Sequence, residues 1–483
     1  MPTRLGCRCL WLGAMVALGT LVSGSAAFGQ ATDPTSGSRE RSAGSQTKLW
    51  REIDITHYAG TFPCLGDLDG DSRVDFLLYR QGPKTTPGYL AAIDHDGREM
   101  WSLGDPGIAA HTPDGDGPEP ALRGAAFIYD IDGDGKPEVI SEFWDDGRPM
   151  LYVLDGATGK VEHSRESPFD LEVRGGRRSR CHPLGAVAFL NGRENPPAVF
   201  LKYEASGRVP SHAVALDASL NTIWHVRAGP TDTGHIPSVG DIDGDGRDEV
   251  LLGTRLLDDD GSSLWLKSAR NHADCTAIFQ PFETAERAVL ISICNSGPAF
   301  CLDARGKLLW EKTTAEVSHG QGIWAGNFID AEPGKEVIIL KSGHRGDFLT
   351  VRGTDGRQLA TFQHRSTLEG YPDFPCVVNW RADGVQSLWI PIDRCLVDGM
   401  GNVVAELGPH EQRVRERLRW GTTKSHVATQ AFAVDLCGDQ RQELVLYQPY
   451  HGQSLMIFTQ ADSDGCVKPY VHEQNVFNIR SYF

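Results

Sequence analysis

One acidic motif recurs at long intervals along the chain and narrows what it can fold into. GDLDGDSRVDFLLY (66–79), YDIDGDGKPEVISE (129–142) and GDIDGDGRDEVLLG (240–253) share it. Each follows a short apolar run and leads into a β-branched one, so the acidic loop joins two strands. Two looser versions follow, GNFIDAEPGKEVIIL (326–340) and VDLCGDQRQELVLY (434–447). Three further segments, 186–203, 277–293 and 376–390, keep the strand–loop–strand outline without the acids. Together they make eight units of about 53 residues each.

A second element recurs later in the unit. LYVLDGATGKVEHS (151–164), AVALDASLNTIWHV (213–226), FCLDARGKLLWEK (300–312) and FLTVRGTDGRQLATF (348–362) each read as a hairpin with a polar turn. Four strands per unit and little helix predict an all-β protein, a β-propeller of eight four-stranded blades, with seven as the competing count. TKLWRE (47–52) resembles GKLLWE (306–311), the outermost strand of a unit, yet precedes the first acidic loop. The last unit (426–463) shows three strands, so the N-terminal strand is expected to complete it. Residues 467–483 are the other candidate for that place. The propeller is expected to occupy residues 47–483.

In the acidic loops, carboxylates alternate. Asp67, Asp69, Asp71 and Asp75 do so in the first unit, Asp130, Asp132, Asp134 and Glu138 in the second, and Asp241, Asp243, Asp245 and Glu249 in the fourth. Alternate acids on a Gly-assisted turn can converge on a hard cation that takes six to eight oxygens, and unpaired they would repel. Calcium is the expected occupant, in a structural role. Asp435, Asp439 and Glu443 keep three acids, and Asn327, Asp330 and Glu336 keep two.

The innermost strand of a propeller blade starts near one mouth of the channel. Residues six to ten positions ahead of each loop are His57 with Tyr58, Arg123, Arg180 with His182, His235, His272 with Asp274, His319 with Gln321, Tyr371 with Asp373, and Lys424 with His426. Nearly every unit contributes a cation or titratable group there. An imidazole-rich funnel in an acidic protein suits an anionic ligand. An imidazole that removes a proton alpha to a carboxylate, beside a group that neutralises it, is the equipment of uronate β-elimination. The same groups could instead hold a metal or only bind an acidic sugar. His272, His235 and His319 are the base or ligand candidates, and Arg123 and Arg180 the carboxylate clamps.

The net charge of −17, from 47 basic and 64 acidic residues, argues against nucleic acid and anionic membranes as partners. Beyond the N-terminus no apolar run is long enough to span a bilayer. Residues 1–30, with Arg4 and Arg8 ahead of an apolar run and small residues at 23–27, read as a secretory signal peptide. Residues 31–46 read as a polar, disordered lead-in. A secreted or periplasmic monomer is expected. Nine cysteines follow the signal, an odd number, so at least one is unpaired within the chain.

These residues resemble the rhamnogalacturonan lyases of polysaccharide lyase family 11, and more loosely the FG-GAP/VCBS-type propellers. The closest stretch is GHIPSVGDIDGDGRDEVLLGTRLLDDDGSSLWLKSARNHADC (234–275). It runs from the acidic loop Asp241–Glu249 through the turn Asp258–Gly261 to the pair His272 and Asp274. The resemblance implies an eight-bladed, calcium-bearing, secreted lyase that cleaves the backbone of pectin, with an acidic polysaccharide as its partner. Two departures stand out. The family's extra N-terminal β-domain is not recognisable, and CTAIFQPFETAERAV (275–289) lacks a second acidic loop. The alternative is a non-catalytic, calcium-stabilised propeller that binds glycan or protein.

Overall fold

A computed structural model describes residues 45–58, 61–81, 86–108, 126–168, 173–174, 177–178, 183–203, 211–229, 232–235, 237–341, 347–364, 375–418, 430–448 and 452–463. They form eight four-stranded antiparallel blades of a β-propeller, as the repeat predicts. Blades one to seven span residues 62–104, 126–166, 183–228, 238–266, 273–312, 322–363 and 376–406. Blade eight takes three strands from 430–460 and its fourth, outermost strand from Ser45–Asp54. That strand runs antiparallel to Ser454–Gln460, with Thr47 opposite Gln460 and Asp54 opposite Ser454. Its first two residues also pair in parallel with Ala405 and Glu406 of blade seven. The N-terminal strand therefore closes the ring.

Within a blade the burial follows from position. Second strands such as Ala288–Ile293 and Glu336–Lys341 are covered by neighbours on both faces, so they read as continuous apolar runs rather than alternating ones. Outermost strands are largely exposed, and in several a tryptophan is buried. In Glu99–Gly104, Thr222–Ala228 and Leu308–Lys312 it is Trp101, Trp224 and Trp310, joined by Ala228 and Lys312 at the ends of the last two. First strands of successive blades touch one another, which places them around the axis.

Two contacts repeat from blade to blade. The first is a tryptophan on the outermost strand, whose indole lies over the hairpin turn of the next blade. Trp101, Trp224, Trp265 and Trp310 donate Nε1–H to the carbonyls of Gly156, Asp259, Ala304 and Gly353 at 2.7, 2.8, 2.9 and 2.8 Å. The turn needs glycine twice over: Gly356 has φ +69°, and a Cβ there would lie 2.8 Å from the Trp310 ring. Between blades two and three the pair is replaced. Arg165 donates to Leu220 O at 2.6 Å, and buried Leu220 takes the left-handed position at φ +66°.

The second contact is a buried carboxylate at the start of the second strand. Asp75, Glu138, Glu249, Glu336 and Glu443 accept the backbone N–H of Leu68, Ile131, Ile242, Phe328 and Leu436, at 2.9, 2.8, 2.6, 2.6 and 2.7 Å. Each holds its loop folded back against the strand. The residue just before it often grips the preceding blade. Asp248 accepts from Phe189 N–H, and Gln442 accepts from Asn379 N–H.

Trp310 is 6% exposed and joins blades five and six by packing and by one hydrogen bond. Trp310→Ala is expected to lower unfolding stability by about 3–5 kcal/mol in a denaturant titration, with far-ultraviolet dichroism unchanged before the transition.

Candidate functional site

The starts of the inner strands of blades four, five and six bring three histidines to one carboxylate. His235 precedes Ser238–Gly240, His272 precedes Ala273–Phe279, and His319 precedes Gly322–Gly326. Asp274 lies between them, 2% exposed. Its Oδ1 is 3.4 Å from His272 Nε2 and 3.6 Å from His235 Nε2, and its Oδ2 is 2.8 Å from His319 Nε2. The two imidazoles of His235 and His272 meet edge to face, with Nε2 to Nε2 at 3.0 Å. One of those nitrogens carries the shared proton and the other accepts it.

Local backbone features aim these groups. In blade five Ala273 pairs with Ile293 and Cys275 with Ser292, so Asp274 is the extra residue of a β-bulge. A bulge re-aims one side chain without breaking the ladder. His319 sits at φ +73° and Ser318 at φ +42°, left-handed conformations that cost a non-glycine residue about 1–3 kcal/mol. Such strain persists where surrounding structure imposes it. His235 N–H donates to Ala273 O at 3.0 Å, tying blade four to blade five. Its own carbonyl accepts from Lys202 Nζ, a fully buried lysine of blade three, at 3.0 Å. Cys294 holds His272 twice. Its N–H donates to His272 O at 3.1 Å, and its Sγ is 3.7 Å from Nδ1.

Asp274 governs the charge of the cluster. Burial opposes its ionisation, but hydrogen bonds from His272 and His319 and the nearby His235 hold it below the usual carboxylate range. His272 is pushed up to about 10 by its hydrogen bond to Asp274 and then by Cys294, against desolvation. His272 and Asp274 thus form a charge pair at the histidine end of the inner strands.

Among the expected funnel residues, His235, His272, Asp274 and His319 come together. Tyr58 does not join them: its hydroxyl donates to Glu99 Oε2 on the outermost strand of blade one, at 2.7 Å. His57 is exposed beside it, and Gln321 is buried, its carbonyl accepting from Cys275 Sγ. Arg123, Arg180, His182, Tyr371, Asp373, Lys424 and His426 lie outside the described residues. Lys202 and Cys294 were not singled out in the sequence. The available signal was a lysine inside the otherwise apolar strand AVFLKY.

Among the described residues, cation-compatible clusters stand at opposite ends of the inner strands, with one more, Asp258 to Asp260, in the outer hairpin turn of blade four. At the histidine end, ligand atoms of His235, His272 and Asp274 lie within 4.8 Å of one another. At the other end, the same holds for Asp67, Asp69 and Asp71, for Asp130, Asp132 and Glu138, and for Asp241, Asp243 and Glu249. Asp75, Asp134 and Asp245 stand outside these triplets. Asp75 is engaged by Leu68 and His95 N–H, while Asp134 and Asp245 cap their own turns through Lys136 and Arg247 N–H. Burial, then the neighbouring acids, pushes Glu138 up to about 8 and Glu249 up to about 7. Glu249 Oε1 is buried without a hydrogen-bond partner. An all-oxygen set with one unpaired buried oxygen fits a hard cation. Of the described cysteines, Cys64, Cys275, Cys294, Cys301, Cys376 and Cys395 are thiols outside any disulfide, and Cys437 is disulfide-bonded.

Comparison with known proteins bears on the family and the fold. The model of rhamnogalacturonan lyase family 11, C-terminal domain, matches residues 174–476. The rhamnogalacturonan endolyase YesW of Bacillus subtilis is 25% identical over 336 residues, covering 58% of this chain and 52% of YesW. The chain thus spans about half the length of the curated relatives it matches. The crystal structure of the exotype rhamnogalacturonan lyase YesX superposes with a TM-score of 0.57 at 18% identity, over 87% of this chain and 75% of that one. A biofilm matrix protein of V. cholerae superposes with a TM-score of 0.56 at 13% identity, over 87% of this chain and 92% of that one. The propeller is therefore shared with a biofilm matrix protein as well as with a lyase.

Replacing the central carboxylate should release His272. In chelator-treated protein, Asp274→Asn is expected to bring the His272 titration down from about 10 by about 1–2 units, read by NMR of the ring protons. A His272 titration unmoved by the change would mean that Asp274 does not hold its proton.

Proposed function

Because the chain belongs to rhamnogalacturonan lyase family 11, we propose that it is a polysaccharide lyase that cleaves a uronate-containing, rhamnogalacturonan-like polysaccharide by β-elimination. The observation that carries this reading is the convergence of His235, His272 and His319 on the buried Asp274. β-Elimination removes the C5 proton of a uronate, breaks the C4–O bond and leaves a C4–C5 double bond. It needs the uronate carboxylate neutralised, a base near C5 and a proton for the leaving oxygen.

The cluster has parts for these tasks. His272, held protonated by Asp274, faces charge on the substrate with charge of its own. His319 is anchored through Nε2 on Asp274 Oδ2, which orients its ring as the base. His235 shares a proton with His272 and can return one to the departing oxygen. Arg123 and Arg180 remain proposed as carboxylate clamps. A divalent cation on His235, His272 and Asp274 would supply the neutralising charge in place of the shared protons. Calcium in the three acidic triplets is proposed as structural, holding the loops between first and second strands. Export is part of the same proposal: residues 1–30 have the composition of a signal peptide, and a disulfide at Cys437 suits an oxidising compartment.

The test is ultraviolet absorbance of unsaturated uronate as the purified protein meets rhamnogalacturonan and other uronate polysaccharides. His272→Ala is expected to lower the initial rate by about 100-fold or more. Binding of the polymer without any release would reassign the chain to a non-catalytic propeller. Separately, chelation of calcium is expected to lower the melting temperature by about 5 °C or more, restored by added calcium, because a ligand of the folded state alone stabilises it by mass action. An unchanged melting curve would remove calcium from the loops.

A further inference from the structure

At the other end of the same inner strands, between blades four and five, a recess of about 610 Å³ opens over Trp265. Such a volume lies within the ~300–1,000 Å³ of ordinary ligand pockets. The junction departs from its equivalents. Trp101, Trp224 and Trp310 are 8%, 8% and 6% exposed, each covered at its own blade junction, whereas Trp265 is only half-buried. It keeps the repeat's hydrogen bond, Nε1–H to Ala304 O at 2.9 Å, so its edge is fixed while part of the ring stays open. Leu264 beside it is 42% exposed.

The rim is also unlike the rest of this acidic protein. Arg287 and Arg305 both line the recess. Arg287 takes the place just before the second strand of blade five, where Asp248 stands in blade four. It donates to the backbone carbonyl of Asp241 rather than to a carboxylate. Arg305 is exposed, and among the described residues no carboxylate lies within ion-pair distance of it. Asp241, Asp243 and Glu286 line the recess as well. The first two belong to a triplet whose charge a loop cation would offset, which leaves Glu286 against two guanidiniums.

We propose that this recess is a second glycan-binding site, which takes a uronate residue of an acidic polysaccharide away from the histidine cluster. An indole face packs against the C–H face of a sugar ring, and a guanidinium with spare donors pairs a carboxylate. A chain alternating neutral sugar and uronate offers both in sequence. The two sites lie at opposite ends of Ala273–Phe279, roughly 20 Å apart for seven strand residues. One polymer could reach both only by running over the edge of the blade, so the recess would hold a distant stretch of the same chain or a second chain. The inference rests on the polysaccharide reading above, but its test does not rest on cleavage.

The test is native affinity electrophoresis in gels containing rhamnogalacturonan, in a His272→Ala background so that the polymer survives. The His272→Ala protein is expected to be retarded, and carboxyl-reduced polymer is expected not to retard it. Adding Arg305→Glu should raise the dissociation constant by about tenfold or more, whereas Lys307→Glu, the same charge change two residues away, should not. Melting curves check that each variant is folded. Equal loss in Lys307→Glu and Arg305→Glu would reduce the effect to general charge and overturn the site. So would retardation indifferent to Arg305→Glu. Release of unsaturated uronate by the unmodified protein, with retardation indifferent to Arg305, leaves the lyase and removes the recess. Retardation that depends on Arg305, with no release, does the reverse.

Discussion

Ring closure is the constraint on which everything else depends. Seven blades draw their four strands from one continuous stretch, but the eighth cannot, and its third strand would present an unpaired edge. The strand Ser45–Asp54 takes that edge. Glu52 on it receives Arg413 Nε and Arg417 Nε, each at 2.6 Å, and the hydroxyl of Ser454 at 2.8 Å. Arg417 also reaches Asp54 at 2.9 Å. Both arginines come from the short helix Glu411–Arg417, so the strand is held from two blades. Joining segments so far apart in the chain costs loop-closure entropy that grows only logarithmically, which a full ladder and a multivalent ion cluster can offset. Once closed, the ring fixes how the inner strands face one another, and with them the histidines.

The fold was legible because a propeller repeats its contacts as well as its strands. The acidic loops mark the first turn of a blade, and the D-x-x-G turns with their tryptophans mark the last. Blades three, five and seven lack the acids, yet their strand–loop–strand outlines sit in register with the others. Closure by TKLWRE was readable because that segment looks like an outermost strand with no blade before it. The site was legible in part. Periodicity says which residues begin an inner strand, so His235, His272 and His319 could be found by counting. It does not say that Asp274 is their common partner, because that depends on a bulge of one residue between Ala273 and Cys275. Nor does it single out Lys202, on a second strand, or Cys294, just past the end of one, where the pattern only asks for burial. In the acidic loops, spacing named the acids, but which three converge is set by the local course of each loop, which spacing does not show.

The two ends of an inner strand solve different problems with similar residues. At the loop end, carboxylates gather, and Asp75, Glu138, Glu249, Glu336 and Glu443 serve as anchors for backbone N–H groups. Their burial makes charge expensive, which favours either protonation or a cation, and either outcome keeps the loop closed. At the mouth, a single carboxylate is surrounded by imidazoles, and the balance inverts: Asp274 stays ionised although buried, because the histidines stabilise it more than burial penalises it. The strained backbone at Ser318 and His319 lies at this end. Strain at the mouth is tolerable because the blades that carry it, four to six, are clamped to each other through Trp265 and Trp310.

This separation explains how blades can lose their acids without loss of the ring. Blade five carries His272 and Asp274 at one end and has no acidic loop at the other. Its loop is instead held by Gln280, whose Nε2 donates to Glu283 O and Ala285 O, each at 2.9 Å, and by Arg287 reaching back to blade four. Hydrogen bonds to backbone carbonyls replace a carboxylate anchor, and the loop is freed from any need for a cation. Two arginines and a half-covered indole then occur at this junction, where the tryptophans of other junctions are sealed. The strand between the two ends keeps its ladder from Cys275 to Phe279, and its one irregularity is the bulge that aims Asp274 at the mouth. A propeller can therefore vary one end of a blade while the other keeps its geometry, and blade five does so while contributing two of the four residues of the histidine cluster.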